Sequence, residues 1–144
     1  APNETSNIYM IKPDTKKLVS LDPSTHLVTS CELKLPSALN GCSLCYADGN
    51  LFGYGNCVNK NYLGSAFFIT KQGKIKILKE GIPSIYSGSI YKKGFVYAFG
   101  GWDGNLLANT RRFNIKSNKW QDLADLPSAG SLYCCETIKN KILI

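Results

Sequence analysis

The sequence predicts an all-β fold assembled from repeated four-stranded antiparallel units, and three observations carry that prediction. Runs of strand length, rich in β-branched and aromatic residues, are separated by turn residues about every eight to twelve positions. The chain resembles itself at a period of about 45 residues. Gly and Pro interrupt every window of about a dozen residues, which leaves no room for a helix of useful length. The 144 residues are 44% hydrophobic and 19% charged, with thirteen Gly, eight Tyr and six Phe. That composition excludes wholesale disorder and suffices for one sizeable core. No run approaches about eighteen apolar residues, so no helical membrane span is expected.

The first strand type is Asn7-Ile8-Tyr9-Met10, then Asn50 to Gly55, then Gly94 to Gly101, and Asn140 to Ile144 opens it a fourth time. The second is Leu18 to Asp22, Ala66 to Thr70 and Arg111 to Ile115. Turns at Pro23-Ser24-Thr25, Lys71-Gln72-Gly73 and Lys116-Ser117-Asn118 lead into a third type, marked by Leu27-Val28, Ile75 to Ile77 and Trp120. Pro36, Pro83 and Pro127 are expected to stop the third strands, because proline cannot donate to a ladder. Fourth strands follow at Cys42 to Ala47, Ser87 to Lys92 and Ser131 to Ile138. The organisation expected is a polar tail at 1–6 and repeats at 7–49, 50–93 and 94–139, with a fourth starting at 140–144.

Tyr97-Ala98-Phe99-Gly100-Gly101, Asp103-Gly104, Phe113-Asn114, Trp120 and Leu123-x-x-Leu126-Pro127 resemble a kelch repeat. The second repeat keeps Gly55 but has Asn56 for the second glycine and lacks the Trp. The first has lost the glycine pair, and no repeat carries the Arg often found after the Leu-Pro element. The resemblance implies consecutive four-stranded blades of a kelch-like β-propeller, an incomplete ring in this chain. Strand edges and apolar faces would then be left open, so the remaining blades are expected from a longer parent chain or a second chain. Phe113 and Trp120 read as packing residues between blades. Gly55, Gly100 and Gly101 read as points of close backbone approach.

Seventeen Lys and Arg against ten Asp and Glu leave a net charge of +7. Only Arg111 and Arg112 are arginines, which argues against a dedicated nucleic-acid reader. Cys42-Ser43-Leu44-Cys45 has a spacing that metal and redox sites share, but no second pair and only His26 accompany it. The six cysteines therefore read as free thiols of a reducing, cytoplasmic setting, with no metal and no cofactor. Asn3-Glu4-Thr5 is a lone glycosylation sequon in the polar tail. No nucleophilic triad, carboxylate pair or phosphate-binding loop is visible.

In an antiparallel meander, alternate connections share a face. One face is expected to carry the longer connections, Asn56 to Gly64 and Trp102 to Ala108 among them, with Trp102 in a turn. Asn59, Asn61, Tyr62, Tyr86, Trp102, Asp103 and Asn105 are the candidate contact residues for a protein partner. For Trp102 a packing role on the neighbouring blade is the alternative. The opposite face collects Lys71, Lys74, Lys92, Lys93, Lys116, Lys119, Lys139 and Lys141, read either as solvated turns or as an anion-binding surface. Kelch-like propellers commonly serve protein interaction, so a non-catalytic interaction module or scaffold is the function implied. The alternative is a fragment of a propeller enzyme acting on a sugar or small metabolite in a central pocket, since the family also includes copper oxidases and sugar isomerases.

Overall fold

Tight turns set this architecture, and most rest on residues held in the left-handed backbone region. Asp48-Gly49 and Lys93-Gly94 are such pairs, and Lys139 begins the corresponding turn 46 residues after Lys93. A computed structural model of the chain describes residues 7–144; the polar tail and the sequon at Asn3 lie outside the described residues. Those residues form thirteen strands and no helix, so no helix is long and apolar enough to cross a membrane.

Sheet 1 is β1 (Ile8–Ile11), β2 (Lys17–Leu21) and β3 (Val28–Glu32). Sheet 2 is β4 (Ser43–Ala47), β5 (Asn50–Val58), β6 (Asn61–Ile69) and β7 (Ile75–Ile77). Sheet 3 is β8 (Gly88–Lys92), β9 (Phe95–Trp102), β10 (Leu106–Asn114) and β11 (Lys119–Leu123). Sheet 4 is the pair β12 (Glu136–Ile138) and β13 (Lys141–Leu143). All pairings are antiparallel and sequential. Each four-stranded sheet opens on the fourth strand of one sequence repeat and closes on the third strand of the next. The frames 50–93 and 94–139 thus begin one strand later than the sheets they describe.

Three expectations are corrected. The third strands end at Glu32, Ile77 and Leu123, well before Pro36, Pro83 and Pro127. The chain leaves the sheet there because Leu33, Leu35 and Leu78 turn into the cores between sheets. The fourth strand expected over Ser131 to Ile138 shrinks to Glu136–Ile138, since Leu132 is left-handed and its N–H is drawn to the Tyr86 carbonyl. The Asn56 to Gly64 connection is strand: β5 and β6 pair out to Val58 opposite Asn61, closed by Asn59 and Lys60 alone. Two consecutive left-handed residues match the twist of a two-residue hairpin, which lets the ladder run to its end.

The central strands β5 and β6 of sheet 2 are buried on both faces because they alternate without a polar side. Leu51, Phe67 and Ile69 pack with Leu18, Leu33, Leu35 and Leu39 of sheet 1 and its linker. Ala47, Phe52, Tyr54, Ala66 and Phe68 pack with Val96, Ala98 and Phe113 of sheet 3. Trp120 lies against that second core, with its ring 4.9 Å from Tyr54, 5.2 Å from Phe113 and 6.3 Å from Phe52 between centroids. Its indole N–H donates to the Lys79 carbonyl at 2.7 Å.

The Cys42 and Cys45 side chains pack into different cores, Cys42 toward sheet 1 and Cys45 toward sheet 3. A spacing of three in a strand puts side chains on opposite faces, so this pair cannot share one ion. Among the described residues no three Cys, His, Asp or Glu side chains gather as a metal site. Burial pushes both thiols up to about 12, and burial likewise raises the Tyr54 phenol.

Trp120→Ala is expected to cost about 3–5 kcal/mol, measured by denaturant unfolding. Because the folded-state thiol values exceed the ordinary thiol value of 9.0, the unfolded chain loses protons first as pH rises. Stability should hold below that value and fall as pH climbs toward 12, and Cys42→Ala with Cys45→Ala should flatten the fall.

Candidate interaction face

Glycine inside the long strands β5 and β9 lets a linker cross the sheet. Gly55 and Gly100, 45 residues apart, both have positive φ, 85° and 55°. A Cβ on Gly55 would stand 2.2 Å from the Ser84 carbonyl oxygen, and one on Gly100 would stand 2.4 Å from that of Gly130. The following position solves the preceding crossing in two ways. Gly101 leaves room for Ser84 and Ser87, whose hydroxyls would lie 2.9 and 2.7 Å from its Cβ. Asn56 instead fills the space, accepting from the Asn40 N–H at 2.8 Å and donating to the Ala38 carbonyl at 3.1 Å.

Beneath this crossing lies Arg111, 1% exposed. Its guanidinium donates to five neutral oxygens: Tyr54 Oη at 3.0 Å, Ser87 Oγ at 3.2 Å, Ser84 Oγ and Asn109 O at 3.3 Å, and Gly100 O at 3.4 Å. It also sits 5.0 Å from the centre of the Tyr54 ring. Tyr54 Oη donates onward to the Ile82 carbonyl. Sequence reasoning missed this network, although strand alternation held the signal: Phe113 points into the core, so Arg111, two residues earlier, points the same way. Arg112, one residue on, faces the other side, 4.0 Å above Phe95 and hydrogen-bonded to Gln121 at 2.8 Å.

The fixed linker positions the face. Ile85 and Trp102 exchange backbone hydrogen bonds of 2.8 and 2.9 Å. Trp102, expected in a turn, is therefore the last residue of β9, paired with Leu106, and the connection shortens to Asp103, Gly104 and Asn105. Its half-buried indole reaches across to sheet 2 and donates to Tyr62 Oη at 3.1 Å. Asp103 shapes the loop by accepting the Asn105 N–H at 3.2 Å.

Of the candidate contact residues, Tyr62, Trp102, Asp103 and Asn105 come together at this corner. Asn59 and Asn61 are exposed at the tip of the neighbouring hairpin, and Leu106 adds exposed apolar surface beside Trp102. Tyr86 belongs elsewhere. It is exposed, left-handed at φ 58°, and lines a cavity of about 370 Å³ with Ile11, Leu39, Gly41, Leu132 and Tyr133. Gly41, Tyr86 and Leu132 form a backbone ladder there: the Tyr86 N–H donates to Gly41 O at 2.9 Å, and the Leu132 N–H to Tyr86 O at 2.8 Å.

The model of a protein family described as the Kelch motif matches residues 88–127, from the first residue of β8 to four residues past β11. No curated protein matches the chain significantly. Gly100, Gly101, Phe113, Trp120 and Pro127 all fall within that segment. The chain thus carries a kelch motif across its third sheet, and its all-β, four-stranded antiparallel sheets are those of kelch-type blades.

Proposed function

We propose that this chain is a non-catalytic protein-interaction module of the kelch type that offers the corner of Tyr62, Trp102, Asp103 and Asn105 to a protein partner. The observation that carries the reading is the Trp102–Tyr62 hydrogen bond between sheets 2 and 3. It holds two large aromatic side chains half-exposed in one orientation, so little side-chain freedom remains to be lost on binding. Exposed amides at Asn59, Asn61 and Asn105 surround them, a composition that suits an interface anchor with a polar rim. The kelch motif supports the general role, since the fold it specifies is widely used for protein interaction. Six unpaired cysteines suit work in a reducing cytoplasm.

The test uses Trp102→Ala, Tyr62→Phe and Asn105→Ala, with partner capture and thermal unfolding measured on the same samples. Tyr62→Phe removes the hydrogen bond and little surface, so it should weaken capture modestly and cost about 1 kcal/mol of stability. Trp102→Ala should reduce capture at least tenfold, an effect of about 1.4 kcal/mol or more, while a folded transition persists. Capture unaffected by Trp102→Ala and Asn105→Ala together would leave the corner as packing between sheets.

A further inference from the structure

We propose that the hairpin-turn face, opposite the corner just described, is a second binding surface, and that it takes an extended acidic polypeptide segment. On this face the β6–β7 turn of sheet 2, both turns of sheet 3 and the turn of sheet 4 are Lys71-Gln72-Gly73-Lys74, Lys92-Lys93-Gly94, Lys116-Ser117-Asn118-Lys119 and Lys139-Asn140-Lys141. They hold eight lysines and no carboxylate. The acids beside them are Asp22 in a sheet 1 turn, engaged by Ser24 at 2.7 Å, Asp48 in the β4–β5 turn of sheet 2, and exposed Glu80, which lines one cavity with Ser117, Asn118 and Lys119. Seven of the eight lysines are exposed; Lys92 is half-buried, and its Nζ donates to the Lys139 carbonyl at 3.1 Å. That bond sets the turns of sheets 3 and 4 side by side and merges their charges into one patch.

Turn chemistry favours other residues at two of these positions. Lys93 and Lys139 have φ of 48° and 53°, the left-handed position that Asp48 fills in sheet 2. Asn, Asp and Gly adopt that conformation readily, and a long unbranched cation does not. Lysine at both positions spends backbone strain on positive charge.

The kind of anion follows from what accompanies the charge. Both arginines are withdrawn: Arg111 is buried under Tyr54, and Arg112 lies on Phe95. The aromatics beside the sheet 3 turns are occupied too, Tyr91 and Trp120 in the core between sheets 2 and 3 and Phe95 beneath Arg112, while Tyr46 is an exposed ring beside Lys71 to Gly73. Bases would find no guanidinium fork, and no row of rings beside the lysines of sheets 3 and 4 on which to stack. The turns carry no apolar side chain at their tips to enter a bilayer. What remains is a row of mobile point charges, which suits carboxylates spaced along an extended chain.

The full chain is titrated with a fluorescent poly-glutamate peptide at low and moderate salt. Affinity should fall at least about tenfold between about 50 and about 300 mM salt. Lys93→Asn with Lys139→Asn should lower the low-salt affinity at least about fivefold while the melting temperature holds or rises, because Asn suits the left-handed turn. Lys12→Gln with Lys34→Gln, on the other face, should leave it within about twofold. Equal affinity in the turn variant, or an equal loss in the Lys12 and Lys34 variant, overturns the proposal. So does tighter binding, at matched salt, of a poly-uridine oligonucleotide or of phosphatidylserine vesicles.

Discussion

The contact between Trp120 and Tyr54, between their ring centres 4.9 Å apart, is where two separate sheets become one structure. Both rings also reach into the linker that follows β7. The indole N–H holds the Lys79 carbonyl and the phenol holds that of Ile82, so the linker is pinned at two points before it crosses Gly55. Arg111 grips the same phenol and the two serines beyond it. Everything later in the linker inherits this placement. Ile85 can bridge Trp102 only because Ser84 is fixed, and Trp102 can reach Tyr62 only because its own backbone is fixed by Ile85. The exposed corner is the outer end of a chain of constraints that begins in an aromatic core.

A buried guanidinium surrounded by neutral oxygens is an expensive way to fill space, since its desolvation has to be recovered from hydrogen bonds alone. Five such bonds, to two strands, two serines and a tyrosine of the adjoining sheet, provide that recovery and add direction. An apolar side chain of similar volume would fill the gap equally well but would remove the guanidinium that ties the Ser84 and Ser87 hydroxyls, already bonded to each other, to Tyr54. Sheet 2 meets the corresponding need at its crossing with Asn56, a neutral amide that binds the linker backbone directly. The two solutions differ in reach: the amide settles one crossing, whereas the guanidinium ties a crossing to the core below it.

Features set by local chemistry were legible in the sequence. The strand types, the turns at Asp48-Gly49 and Lys93-Gly94, the packing position of Trp120 and the lysine-rich turn face follow from composition, alternation and meander topology. Features that depend on partners far along the chain were not. Tyr62 and Trp102 are forty residues apart, and nothing near either one announces the other. The reach of β5 and β6 depended on Asn59 and Lys60 both turning left-handed, which lacks the usual glycine signal. Arg111 was hidden by expectation, because arginine is rarely buried and its neighbour Arg112 offers the ordinary surface reading. The cysteine pair was open to a simpler argument, since a strand assignment alone puts residues 42 and 45 on opposite faces.

The ladder through Gly41, Tyr86 and Leu132 bears on how such a chain can change length. Its rungs join peptide groups 45 and 46 residues apart, and Tyr86 serves as acceptor for one neighbour and donor to another. One residue added to or lost from the linker before Tyr86 would shift both bonds out of step and break two rungs together. The hairpin tips at Asn59-Lys60 and at Asp103 to Asn105 carry no such obligation to a third sheet. Growth and shortening are therefore channelled to the exposed tips, while the spacing of this ladder stays fixed. New loops can be accommodated there without disturbing how one sheet counts its distance to the next.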